Sequence, residues 1–182
     1  QIWNIIGDAE RAAKNFSKAE AAHVEATGIL KQIGSFDSVY GGANLALIQM
    51  EQGRWEAAHA TMDKAVVAAD RLGHVKARLM INCIALWHDA KRERWSDWDQ
   101  KSVLLQGMYE RALADPDLAW TLLGAAREAG KRGQPERSEF AWDLALRQYE
   151  LLSRTEELAA LRNERSRARA LLRHSSEDEA NL

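Results

Sequence analysis

The chain has 182 residues, enough for one or two ordinary domains, with 29% charged residues and a formal net charge of −2. That near-balance excludes a global field favouring nucleic acid or an anionic membrane. No apolar run approaches the roughly 18 residues that a membrane helix needs, and the single cysteine, Cys83, excludes an internal disulfide framework.

Much of the 46% hydrophobic content is alanine, and only two prolines are present. Alanine is a weak core former and the best helix former, so the composition predicts an all-α protein. The first residues do not read as a signal peptide. With one cysteine, a cytoplasmic, reducing compartment is the simplest expectation. The chain opens on Gln1, already inside a helical pattern. It therefore reads as a piece of a longer protein.

In chain order the pattern recurs. The opening stretch places Trp3, Ile6 and Gly7 on one helix, then Phe16, Ala19, His23 and Ala26 on the next, in steps of three, four and three. Ser17 to Glu20 reads as a capping box for that second helix, and Gly34 as its stop. Gly42, Leu45 and Ala46 follow, Gly53 stops that helix, and Trp55, Ala58, Met62 and Ala65 repeat the steps 39 residues after Phe16. Gly73 ends the pair. Asn82, Ala85 and Leu86 open a third pair. Its second helix carries Trp95, Trp98, Ser102 and Leu105, starts at Ser96 with Asp99, and lies 40 residues after Trp55. Trp98 stands where a small residue belongs, which predicts that the third pair splays or that its second helix shifts. Asp115-Pro116 reads as an N-cap followed by proline, leading into Trp120, Leu123 and Gly124, then Ser138, Trp142 and Ala145. Ser153 to Glu156 opens a ninth helix to about Arg173, whose Leu158, Leu161, Leu171 and Leu172 can cover the last pair. Residues 175–182 read as a disordered acidic tail.

Position by position these pairs resemble the tetratricopeptide repeat, whose pattern is W-x-x-L-G-x-x-Y, a turn, an aromatic, A-x-x-x-F and a further alanine. The third copy matches by spacing more than by residue type. The usual tyrosine is absent, with Glu10, Gln49, Asp89 and Arg127 in its place. The resemblance covers about 1–153, as pairs at about 1–34, 37–73, 75–114 and 116–153, with 154–174 as a capping helix. It implies an α-solenoid of antiparallel helix pairs, a superhelix in which small residues allow close approach and neighbours bury each other's apolar faces. The spacing exceeds the usual period of about 34, as in the long tetratricopeptide regions of bacterial multidomain signalling regulators.

A search for chemistry finds little. The five histidines have no metal-ligand spacing, and His23 sits at a packing position. Cys83 has no base partner in sequence and reads as a small buried residue. Gly41-Gly42 lacks a phosphate-loop context. No carboxylate pair stands out as acid and base. The expectation is a non-enzyme without cofactor or metal. Arg162, Arg165, Arg167, Arg169 and Arg173 of the ninth helix read as a solvated cap face spread over several sides, diluted by glutamates, rather than a nucleic-acid site.

The resemblance implies an inner groove lined by the first helix of each pair. It places groove positions on Asn4, Asp8 and Arg11; on Ala43, Leu47 and Met50; on Cys83, Trp87 and Lys91; and on Thr121, Ala125 and Glu128. The apolar middle, Leu47, Met50 and Trp87, suits an apolar peptide or amphipathic helix. Trp87 has a second reading, packed under a neighbouring helix of its own chain. Trp3, Trp55, Trp120 and Trp142 read as core. The expected function is a protein–protein interaction scaffold of a signalling protein. The alternatives are a ligand- or peptide-responsive sensor domain and a homo-oligomer formed through solenoid ends.

Overall fold

A helix leaves its last carbonyls without intrahelical partners, and its end must supply them. A computed structural model describes residues 2–109 and 114–180 of the chain. Its helices are α1 (Ile2–Ala12), α2 (Phe16–Gln32), a 3-10 turn (Phe36–Val39), α3 (Tyr40–Glu51), α4 (Trp55–Arg71), α5 (Val75–Lys91), α6 (Trp95–Tyr109), α7 (Pro116–Lys131), α8 (Pro135–Leu151) and α9 (Thr155–Ala180). The described residues are all-α and contain no strand. No described helix is long and apolar enough to cross a membrane.

Helix ends close with one recurring turn. A residue in the left-handed region follows α1, α3, α5 and α7: Lys14, Gly53, Glu93 and Gly133, spaced 39, 40 and 40 apart with φ between 56° and 73°. The next amide reaches back across the turn, Arg54 N to Gln49 O at 2.8 Å, Arg94 N to Asp89 O at 2.9 Å and Gln134 N to Ala129 O at 3.0 Å. This six-to-one bond is the Schellman closure. Gly34, Gly73 and Ser153 close α2, α4 and α8 the same way. The period written in side chains thus returns in the backbone. Glycine suits the turn, whereas Lys14 holds φ 61° with a Cβ, at a cost of about 1 kcal/mol. Lys14→Gly is expected to raise the denaturant midpoint by an equivalent amount.

Several expected starts shift. α2 begins at Phe16 after Asn15, whose side chain donates to Glu10 Oε2 at 2.8 Å instead of capping. Ser17 is inside the helix, so no capping box forms. α6 likewise begins at Trp95, with Ser96 inside it, and Ser153 terminates α8 rather than opening α9. In each case the aromatic or turn residue sets the boundary and the hydroxyl is carried along. Asp115 does cap α7, accepting from Asp117 N at 3.0 Å and Leu118 N at 3.4 Å. α9 runs on to Ala180, through the segment expected as a tail.

The helices gather into two compact units, Gln1–Ala85 and Leu86–Leu182, with the division falling inside α5. In the first unit α1 packs on α2, α2 on α3 and α3 on α4. Contact is close where glycine stands: a Cβ on Gly42 would lie 2.6 Å from that of Ala65. His23 is buried beneath Gly7, with Asn44 Nδ2 3.1 Å from its Nδ1 and Asp8 Oδ1 3.5 Å from its Nε2. In the second unit α7 packs on α8 and α8 on α9. Trp98 is 2% exposed, edge-on to Phe140 with 5.5 Å between centroids. It pairs with the small Ser102 one turn later, whereas α8 carries the small Ser138 first and the buried Trp142 second. The large and small positions have exchanged. Trp142 is core as expected, and Trp55 and Trp120 are half-buried. Trp3 is 43% exposed. The described residues that pack on α1 leave its outer side uncovered.

Candidate functional site

The expected groove positions divide by depth. Ala43, Leu47, Met50, Cys83, Thr121 and Ala125 are each at most 3% exposed, and Glu128 is nearly so. Leu47 and Met50 are therefore interior residues. The cause is visible in the burial pattern: residues 46–50 of α3 and 79–86 of α5 are buried without a break. A helix covered all round has no free face to offer. Asn4, Arg11, Trp87 and Lys91 are half-buried and Asp8 is exposed. Arg11 Nη1 donates to Glu51 Oε1 at 3.0 Å. Asp8 is covered on one side only, and that partial loss of water pushes its carboxyl above the usual range, while Arg11 draws it part of the way back.

Of these residues, the structure brings Trp87, Lys91 and Glu128 together. α7 starts firmly at its Asp115 cap, and its face then runs Trp120, Gly124, Arg127, Glu128 and Lys131 at helical spacing. The Trp87 ring lies on Gly124, where a Cβ would be 2.6 Å from ring carbon Cδ2. It meets Trp120 edge-on at 4.9 Å and 90°. Trp87 is thus packed against a helix of its own chain, the second of the two sequence readings, while remaining half-exposed. A cleft of 190 Å³ opens beside this pair, lined by Trp87, Trp120, Gly124, Arg127, Glu128 and Lys131.

Its electrostatics are arranged around Glu128. Lys91 Nζ donates to Glu128 Oε2 at 3.4 Å and Arg132 Nε to Oε1 at 3.1 Å. Arg132 also holds Glu93 and donates to the Lys91 carbonyl at 3.2 Å. The hydrogen bond to Glu128 keeps the Arg132 guanidinium above its ordinary value. Arg127 grips Glu164 of α9 with two bonds, 2.7 and 2.8 Å. Lys131 is exposed and forms no ion pair among the described residues. Sequence reading placed Trp120 in the core and passed over Lys131. Their spacing from Gly124, four residues before and seven after, is the signal that would have found them.

This site can hold an apolar or aromatic side chain against the indole pair and an anion at Lys131. Among the described residues no group of three metal-ligating side chains gathers.

Three of the α9 arginines are engaged within the chain. Arg162 Nη2 donates to Glu150 at 2.6 Å, Arg165 to Asp143 at 2.6 Å and to Glu139, and Arg169 Nε to Glu139 at 2.7 Å. Arg162, Arg165 and Arg169 share one face of α9, because spacings of three and four return to the same side, whereas Arg167, two residues from each of the last two, falls on the opposite side. Burial works to raise the Glu139 carboxyl, but hydrogen bonds from Arg169 and Arg165 outweigh it and leave it below the usual range. Arg127 lowers Glu164 in the same way. Both groups titrate lower in the fold than in the unfolded chain. The stability they contribute is present above the ordinary carboxylate range and lost as pH falls through the lowered values. Glu139→Gln with Glu164→Gln is expected to lower the melting midpoint at pH ~7 and to flatten its fall between pH ~5 and ~3, as followed by circular dichroism.

The chain matches no protein-family model and no curated protein.

Proposed function

We propose that this chain is a protein–protein interaction module of the tetratricopeptide type, an α-solenoid of helix pairs capped by α9, serving as the scaffold or sensor part of a larger signalling or regulatory protein. One observation carries the reading. Ion pairs join Arg11 to Glu51, Lys91 to Glu128, Glu93 to Arg132, Asp99 to Arg137 and Arg127 to Glu164, residues 40, 37, 39, 38 and 37 positions apart. Links at the repeat spacing are what stacking of like helices on like helices requires.

The partner site is the Trp87–Trp120 cleft with Lys91 and Lys131 on its rim. It takes an apolar anchor from a peptide or partner helix with an acidic residue beside it. The module binds and positions; it carries no catalysis, cofactor or metal of its own. Trp87→Ala is a poor test, because it also removes packing on Gly124. Lys131→Glu is clean. Protein captured from the host extract by the native chain is expected to be lost from Lys131→Glu with its circular dichroism unchanged. Equal capture by both chains sinks this site.

Self-association is the second reading, favoured by the outer side of α1, where Ile2 is 73% and Ile5 68% exposed. Sedimentation of the native chain beside Ile5→Glu decides it: a concentration-dependent mass that the substitution abolishes supports it, and an invariant monomer removes it.

A further inference from the structure

A second surface of the C-terminal unit adjoins the Trp87–Trp120 cleft and shares Arg127 and Lys131 with it. α9 rests on α8 and is tied to α7 by the Arg127–Glu164 ion pair, but buries little. Among residues 155–171 only Leu161 is buried, with Leu158, Glu164, Arg165 and Ala168 half-buried. What holds the helix is charge. Glu139, Asp143 and Glu150 form one stripe along α8, and Arg162, Arg165 and Arg169 answer them. Beside the stripe a cleft of 290 Å³ stays open, with Ala126, Gly130 and Trp142 on one side and Ala168 and Leu171 of α9 on the other. The α7–α8 face thus has an acidic row, which α9 satisfies, and an apolar hollow, which α9 leaves unfilled.

We infer that this face is a receptor for an arginine-rich amphipathic helix of another protein, and that α9 is its resident, displaceable occupant. The charge row selects arginines at the spacing of 162, 165 and 169. The hollow selects a larger apolar side chain where α9 has Ala168. The Arg162–Glu150 pair is exposed, and the Arg165 and Arg169 pairs with Glu139 are only partly covered. Such pairs are weak to moderate and salt-screened, so α9 is held largely by an interaction that a competitor can reproduce. A competitor that also fills the hollow gains apolar burial that α9 lacks. Displacement would also release Arg127 from Glu164 and so carry partner binding at α8 across to α7.

The test uses the full chain and a fluorescein-labelled peptide of residues 155–171 carrying Ala168→Leu, followed by anisotropy. Saturable binding is expected, about tenfold or more tighter than that of the peptide with alanine. Arg165→Glu with Arg169→Glu in the chain repels its own α9 from Glu139 and Asp143. This variant is expected to bind the peptide about tenfold or more tighter than the native chain, whereas the same changes in the peptide abolish binding. No saturable binding to either chain, or an affinity that the chain substitutions leave unchanged, overturns the inference. Hydrogen exchange of the native chain is the second readout. The amides of α9 must exchange before those of α7 and α8, and become faster still with the peptide bound. Exchange of all three together, or α9 protection unchanged by saturating peptide, overturns displaceability.

Discussion

Asp89→Ala is expected to destabilise the C-terminal unit by about 3–5 kcal/mol, measured as a lowered denaturant midpoint. Asp89 is 1% exposed, accepts from Lys101 Nζ at 2.6 Å, and lies 3.2 Å from Nδ1 of His88, which is 2% exposed. Without the carboxylate, the Lys101 ammonium keeps only a long contact to the Asp97 carbonyl, at 3.5 Å. Lys101 is half-buried, and a largely desolvated charge without its counter-ion costs more than the pair itself contributes. The double change Asp89→Leu with Lys101→Met should therefore recover most of the loss, because it removes both desolvated charges at once. If the double variant is as unstable as the single one, the cost lies in backbone packing around Asp89 and the charge account fails. The turn contact of the Asp89 carbonyl with Arg94 N, at 2.9 Å, survives in all of these variants.

Trp142→Ala is the second large effect, again about 3–5 kcal/mol. The side chain is 1% exposed, in the middle of α8, and forms one wall of the hollow beneath α9. Truncation would enlarge that hollow, and the rigid α7–α8 contact would close it only in part. Calorimetry should show the loss. A cost under about 1 kcal/mol would mean that α9 collapses into the vacated space. Trp98 gives a contrast from the same unit. It is as deeply buried, but its indole N–H has no acceptor among the described residues. Trp98→Phe removes an unsatisfied donor along with some bulk and is expected to be nearly neutral by the same measurement.

Much of this architecture was readable from residue order. Steps of three and four gave the helices, and Gly34, Gly53 and Gly73 gave their ends. Lys14 and Glu93 occupy the same turn without being glycine, so residue type did not reveal them and the sequence reading passed over both. The readable part ended where a second neighbour mattered. Periodicity reports that Leu47 and Met50 lie on a face of α3. It does not report that α3 is covered on its other side as well, and so a groove residue and a core residue look alike. Asp89 appeared only as a departure from the expected tyrosine, because its counter-ion lies on the next helix, at Lys101. The opposed stripes of α8 and α9 were hidden for the same reason: an arginine reads as solvated until its partner is placed. Trp98 and Ser102 showed an anomaly at sequence level, and the exchange of large and small positions with Ser138 and Trp142 gives it a packing reason.

In each unit most helix packing is between neighbours along the chain: α1 with α2, α2 with α3, α3 with α4, α7 with α8 and α8 with α9. Such contacts close short loops. Among the described residues the side-chain links that skip a helix span about one repeat, as from Arg11 to Glu51 and from Arg127 to Glu164. Under a pulling force applied at its ends, a protein built this way yields one hairpin at a time, at low load, and re-forms each as soon as the load falls, since rejoining needs only a local search. As part of a longer chain it would behave as a compliant spring, giving length under tension before its neighbours feel the strain.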